Sequence, residues 1–437
     1  MAELPNDPKG AYLEEWVSAH FASRGCYVET TIKELKPDEI LELDVVWTDY
    51  RKDPEERHPV EVKSGKWSLP DVFKFYGWTR YLDLEPGQFV HTQPCDHDPA
   101  SLSHVQQKTG ISLIHIAAAQ KAEEYFGSLG LPEPPSPQVT QLWRFSFWAR
   151  RRLVKSLGVA IDDDVCAGSG KAAKKYLRLV NDAVFFIPDV RDRIEILLKA
   201  HFDHQMLGKS AAYEIESKKV EYVNPPDTKT FRKAWFDGAH FPVQACMYVE
   251  HRARLYIMKA LVDYWLARQR GRLAERKKNV VLLGGKAVGG QQVGITNAME
   301  AALAKLSVAK SFRLFPVLWQ ALLWNWGGFL RRDHLDEEYA LLAGETGVPV
   351  NDIPLALTAF DEIFPIYRGW FRDVDERRVL ILMPAVLRGI GAHRRRIMRG
   401  VEHFKDLDCG EVARASLVAE NNALANLLDC LDQELAK

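Results

Sequence analysis

Ile40-Leu-Glu-Leu-Asp-Val-Val-Trp47, a polar break over Thr48 to Arg57, and His58-Pro-Val-Glu-Val-Lys-Ser64 decide how this chain folds. Both apolar runs alternate with period two, the pattern of strands with one dry face and one wet face. Leu41, Leu43, Val45 and Trp47 share the dry side of the first run, which leaves Asp44 opposite. In the second, Val60 and Val62 are the buried positions, so Glu61 and Lys63 project together from the other face. A hairpin through the polar break brings two carboxylates and an ammonium into one small space. Carboxylates that close repel one another, and the usual relief is a bound divalent cation; hard oxygens on neighbouring strands suit Mg²⁺, or Mn²⁺ in its place.

The surrounding elements follow from periodicity and punctuation. Gly10 to Phe21 has helical spacing, with Leu13, Trp16, Val17 and His20 on one side, and Gly25 stops it before an extended Cys26 to Ile32. After Lys63, Ser68 is placed to cap a helix with Pro70 and Asp71 in its first turn, and Val72, Phe73, Tyr76, Thr79 and Tyr81-Leu82 continue the helical spacing. Gly87 to Thr92 reads as a strand, Ser101 to Thr109 as a helix and Ile111 to Ile116 as a strand.

An Asp, a gap and then Glu-x-Lys resembles the PD-(D/E)xK nuclease superfamily, with Asp44, Glu61 and Lys63 at the signature positions and Leu43 where that pattern has Pro. The start Gly10-x-x-Leu13-Glu14, ending at Gly25 before a strand, is similar to the opening of Mrr-like restriction endonuclease domains. The resemblance covers the first quarter of the chain. It implies an αβββαβ core in an α+β protein, with Glu14 assisting at the metal site and Glu15 as its substitute if the register is off by one. It further implies Asp44 and Glu61 as metal ligands, the Val62 carbonyl as an additional one, and Lys63 as the residue that positions the attacking water. Lys66 is then a candidate for the scissile phosphate, or a plain surface lysine.

Composition bounds the rest. With 437 residues and 47% hydrophobic content the chain is expected to hold two or three domains with well-formed cores. Six cysteines without CxxC spacing indicate neither a zinc ribbon nor a disulfide framework, as expected of reduced thiols in a cytoplasmic protein. Met1 to Lys9 lacks an apolar signal-peptide core, and Leu314 to Leu330 is short and interrupted, so a buried helix is expected there and no membrane segment. The cluster His91, Cys95, His97, Asp98 reads as a polar loop, because Cys-x-His without a second pair is poor zinc spacing.

Gly127 to Val139, with Pro132, Pro134, Pro135 and Pro137, reads as a stiff linker. It divides residues 1–126 from a mainly helical region over 140–437, itself with a break near 280–295. Expected helices cover Gln141 to Leu157, Lys171 to Asn181, Arg191 to Met206, Pro242 to Arg270, Thr296 to Leu306, Phe312 to Leu330, Leu335 to Gly344, Ile353 to Phe364, Arg377 to Arg399 and Gly410 to Leu435. Tyr213 to Tyr222 and Val280 to Leu283 are expected strands, and Gly284 to Gly290 a surface loop that lacks the Gly-Lys-Ser/Thr ending of a P-loop.

Residues 1–118 carry 12 Lys+Arg against 20 Asp+Glu, whereas the whole chain is nearly neutral at −1. Charge to hold a polyanion is therefore expected behind the linker. The candidates are Arg150, Arg151 and Arg152; Arg268, Arg270 and Arg272 with Lys277 and Lys278; and Arg394 and Arg395. The aromatics Trp143, Phe145, Phe147 and Trp148 are expected in a helix core. The expectation is a Mg²⁺-dependent deoxyribonuclease, set by the resemblance in bacterial restriction or defence against phage, acting as a homodimer or higher oligomer or docking a protein partner through the helical region. Two alternatives share the same residues: a nuclease-like nucleic-acid-binding or assembly module that is silent until a partner arrives, and an RNA-processing nuclease.

Overall fold

The computed structural model describes residues 10–35, 39–116, 119–137, 139–140, 142–144, 146–147, 150–151, 154, 176–201, 241–273, 282–283, 286–287, 295–326, 329–331, 335–364 and 379–381. Helix α1 (Ala11–Ser23) is followed by β1 (Tyr27–Leu35), β2 (Glu39–Asp49) and β3 (Glu56–Lys63), then α2 (Leu69–Tyr81), β4 (Gln88–His91), α3 (Pro99–Thr109), β5 (Ser112–His115) and α4 (Ala119–Ser128). The strands form one mixed sheet in the order β1-β2-β3-β4-β5, antiparallel from β1 to β3 and parallel from β3 to β5. The protein is α+β in class.

Local sequence explains the joints. The Asp71 carboxylate accepts the Ser68 backbone N–H at 2.8 Å and its hydroxyl at 3.0 Å, which closes the start of α2. Gly87 has to be glycine, since a Cβ there would lie 2.3 Å from the Pro59 carbonyl and 2.7 Å from the Phe75 ring. Without that close approach β4 could not lie against β3.

Both faces of the sheet are covered, which corrects the expectation of a wet side. Val45, Trp47, Val60, Val62, Val90 and Ile114 pack with α1, while Val46 and Phe89 pack with Val72 and Phe75 of α2 and Val105 of α3. The expected single dry stripe on β2 is also split, because Leu41 and Leu43 join the α2 side and Val45 and Trp47 the α1 side. Thr31, across from Asp44 between the pairs Thr30 with Val45 and Ile32 with Leu43, has φ of 55°. A left-handed residue inside a strand breaks the pleat, and the alternation reverses there. Phe73 and Tyr81, placed in the periodic apolar face of α2 by spacing, are 51% and 62% exposed.

Beyond α4, the described residues between 137 and 154 are helical, as are 176–181 and 190–201. They are followed by α5 (Phe241–Gln269), α6 (Asn297–Leu306), α7 (Phe315–Asn325), α8 (Leu335–Thr346) and α9 (Ile353–Ile363). The helix expected over Phe312 to Leu330 is shorter: residues 312–314 are a 3-10 turn, and Phe329–Arg331 (β8) pairs with Val379–Ile381 (β9). The sequence has Gly327-Gly328 at this point, and glycine is a poor helix former. The helix expected over Arg377 to Arg399 is likewise a strand at 379–381. Leu282–Leu283 (β6) pairs with Lys286–Ala287 (β7), so the expected surface loop is in part a hairpin. Tyr213 to Tyr222 and Gly410 to Leu435 lie outside the described residues. No helix among the described residues is long and apolar enough to cross a membrane.

The segment read as a linker does not interrupt the packing. Leu131 is buried, helix begins at residue 137, and one hydrophobic cluster runs from Leu13 of α1 through Trp143, Leu255 and Trp319 to Phe364. The join is made at the free edge of β1. There the Val28 N–H donates to Gln320 Oε1 at 3.0 Å, and Gln320 Nε2 donates to the Val28 carbonyl at 2.8 Å. Two residues on, Arg150 donates to Thr30 Oγ1 at 2.9 Å and to the Thr30 carbonyl at 3.2 Å. These outward-facing backbone groups have no strand partner, and buried without one they would each cost about 1–3 kcal/mol.

Gln320→Leu keeps the side-chain volume close and removes both bonds to Val28. It is expected to lower stability by about 2–4 kcal/mol, read as a fall in the urea midpoint at unchanged slope.

Candidate active site

Asp44 and Glu61 meet because β2 and β3 are in register. Val45 pairs with Val60, so Asp44 and Glu61 are the next residues on each strand, at the point where the ladder ends. The Val62 N–H, freed from that ladder, donates to Asp44 Oδ2 at 2.7 Å. A strand residue's N–H and C=O leave the same edge, so the Val62 carbonyl is directed beside Asp44 as well. Lys63 Nζ sits 2.6 Å from Glu61 Oε1, and Glu61 Oε2 is buried with no hydrogen-bond partner.

Helix α1 is pinned to the same place. The Gly10 N–H donates to Ser64 Oγ at 2.7 Å, so the helix begins beside the end of β3. This separates the two glutamates that follow. Glu14 is half-buried and feels the charges of Glu42, Glu61 and Lys63, whereas Glu15 is buried and held by the Arg151 guanidinium. Glu14, then, is the residue of α1 that faces the cluster.

The cluster is electrostatically crowded. Burial, and then the charges of Glu61 and Glu14, hold the Asp44 carboxyl well above the usual carboxylate range, against the pull of the Val62 N–H and Lys63. Burial also raises Glu61; the Lys63 hydrogen bond and charge and the more distant Lys74 act in the opposite sense. Glu14 is raised by burial and by Glu42, with Arg151 opposing. For Lys63, burial alone would lower the ammonium, but the bond to Glu61 and the charges of Glu61, Asp44 and Asp71 outweigh it and the net shift is upward. The acidic neighbours thus favour the ammonium form of Lys63.

Among the described residues no group of three or more His, Cys, Asp or Glu side chains stands ready to hold an ion as placed. The donor set nevertheless fits one, with an unpartnered Glu61 oxygen, an Asp44 that resists ionising and a third carboxylate within Coulombic reach.

Among the described residues, four of the six basic side chains expected to grip a polyanion are engaged within the fold. Arg150 is buried on the edge of β1 with its guanidinium over the Trp324 ring, which corrects its assignment to nucleic acid. Arg151 holds Glu15, Arg268 pairs with Glu300 at 3.2 Å, and Arg270 bridges Asp53 and Glu55 at 2.7 Å each. Arg272 and Lys66 are exposed. Arg152, Lys277, Lys278, Arg394 and Arg395 lie outside the described residues. Trp143 and Phe147 are core residues as expected, and Phe145 and Trp148 also lie outside the described set.

Spacing alone gave no sign of the groups that the parallel strands carry to this end of the sheet. His91 pairs in register with Lys63, stacks on His115 with ring centroids 5.1 Å apart, and is held to about 4 by burial, which leaves it neutral. Lys74, one turn into α2, would have emerged from projecting that helix as a wheel. No protein-family model, curated protein or solved structure matches this chain.

A carboxylate raised in the fold binds its proton more tightly folded than unfolded. Its contribution to stability is present below the unfolded value of about 4 and is lost as pH rises toward the folded value. Asp44→Asn, which keeps an acceptor for the Val62 N–H, is therefore expected to raise the unfolding temperature at pH 7.5 in EDTA. Scanning calorimetry as a function of pH should show that gain vanish near pH 4.

Proposed function

We propose that this chain is a Mg²⁺- or Mn²⁺-dependent phosphodiesterase acting on DNA. The observation that carries the reading is the convergence of Asp44, Glu61 and Lys63 with Glu14 at the open end of the β2–β3 ladder, where Glu61 Oε2 is buried without a partner. The order helix, three strands, helix, strand, helix, strand agrees with the nuclease core that the Asp…Glu-x-Lys motif suggests. A setting in bacterial defence rests on that family resemblance alone.

Asp44 and Glu61 are the carboxylates that would hold the ion, with the Val62 carbonyl beside them and Glu14 completing the acidic wall. When bound, a divalent cation neutralises charge on the scissile phosphate and favours hydroxide over water. Lys63, kept protonated by its acidic neighbours, donates to the attacking oxygen, holds it in line and offsets the charge that builds on the phosphate. Lys66, exposed three residues on, is within chain reach of the neighbouring backbone phosphate.

One observation favours a second reading. Because the carboxylates are not gathered into a ready cage and Lys63 occupies one Glu61 oxygen, the site could belong to a nucleic-acid-binding module whose chemistry waits on a partner.

Lys63→Ala and Glu61→Gln are each expected to lower Mg²⁺-dependent cleavage of DNA, assayed on single-stranded and duplex substrates side by side, by about 10²-fold or more, with circular dichroism unchanged. EDTA should abolish the wild-type activity. Wild-type protein that cuts neither DNA nor RNA with either ion would leave the second reading standing.

A further inference from the structure

We infer that the exposed face of α2 is a stacking platform for unpaired bases, and that the nucleic acid brought to the Asp44 and Glu61 cluster is single-stranded. The inference rests on the phosphodiesterase reading for the purpose of the platform and on α2 itself for its chemistry.

Phe73, Gly77 and Tyr81 fall at i, i+4 and i+8, one above another on the same side of the helix. Phe73 and Tyr81 are 51% and 62% exposed, and they are the aromatic members of the exposed large hydrophobic side chains among the described residues; the others are Ile40, Val308 and Val350. Buried Val72, Phe75 and Thr79 secure the opposite side of α2 to the sheet, so the fold has no need of the two outer rings. Gly77 between them is unfavourable in a helix interior, and packing does not require it, since a Cβ there would meet nothing within 4 Å. Its effect is to leave the floor between the two rings flat.

Cations flank the rings. Lys74 and Arg80 are exposed on the same helix, with the Lys74 ammonium 4.5 Å from the Trp78 ring centre, and exposed Lys66 precedes the helix. Rings interleaved with cations suit a strand whose bases stack and whose phosphates pair, and every base offers a π-face to such a surface. Eight residues of helix separate the rings by about 12 Å, a span of about three to four nucleotides at roughly 3.4 Å each. The strand's path leads to the cluster, because α2 starts at Leu69, soon after β3 ends at Lys63, and the charges of Asp71 and Lys74 on it reach Lys63 and Glu61. A duplex keeps its bases stacked inside and cannot use these rings. Among the described residues, Arg151, Arg268 and Arg270 are engaged in ion pairs, whereas Lys66, Lys74 and Arg80 are exposed beside the rings of α2.

Fluorescence anisotropy of the full chain in EDTA, with a labelled oligothymidylate of about 12 nucleotides and a duplex of the same length, tests this without any cutting. The expected result is preference for the single strand, an affinity loss of about tenfold for Phe73→Ala and for Tyr81→Ala, retention by Phe73→Trp, and no change for Val308→Ser. Lys74→Ala should flatten the salt dependence of binding. Undiminished binding by the Phe73→Ala/Tyr81→Ala double variant, or equal affinity for the duplex, would overturn the platform. So would self-association that the double variant loses in the absence of oligonucleotide binding, since the face would then belong to a second copy. Cleavage that persists in a protein failing this test would overturn the platform alone; ring-dependent binding with no cleavage under any condition would overturn the phosphodiesterase and leave the platform.

Discussion

A sheet edge buried inside a protein must find partners for backbone groups that no strand will meet, and this molecule solves that problem with side chains delivered from far along the chain. Gln320, 292 residues from Val28, lays its amide against that residue as a neighbouring peptide would, and Arg150 donates to the Thr30 carbonyl and hydroxyl. The sheet and the helices behind it are one packed body as a result, with Trp319 and Gln320 on the same buried helix. β2 carries Asp44 and is held between β1 and β3, so the position of that carboxylate depends on β1 being fixed at its outer side.

What is fixed there is not comfortable. Asp44, Glu61 and Glu14 are held in surroundings that disfavour their charge, and Lys63 answers only one of the Glu61 oxygens. A structural role alone would be served at less cost by apolar residues such as the neighbouring Val45, Val46, Val60 and Val62. Strain of this kind tends to gather where a protein handles a ligand, and it is local: the residues immediately around it, Val45, Val46, Val60 and Val62, form ordinary core.

The legible part of the sequence was the part governed by near neighbours. Period-two runs, Ser68 with Asp71, and Glu61 with Lys63 depend on residues a few positions apart, and the strands and α2 stand where those signals put them. Long-range needs were illegible. Nothing near Arg150 announces that Thr30 requires a donor, so an arginine in a basic run looked like one free to bind phosphate. The reversal at Thr31 could not be foreseen because threonine rarely takes a left-handed backbone. Apolar letters also misled: Phe73 and Tyr81 fitted the helical spacing of α2 yet are exposed, and Phe329 and Leu330 fitted a helical pattern yet stand in a strand.

Closing β1 with an amide and a guanidinium has a bearing on how copies of the chain could meet. Strand addition, the commonest way for sheets to join, needs an open row of backbone donors and acceptors. On one flank that row is already taken, while the opposite flank is β5, only four residues from Ser112 to His115. Extension of the five-stranded sheet across two molecules would run through that short strand, which offers few backbone groups to pair.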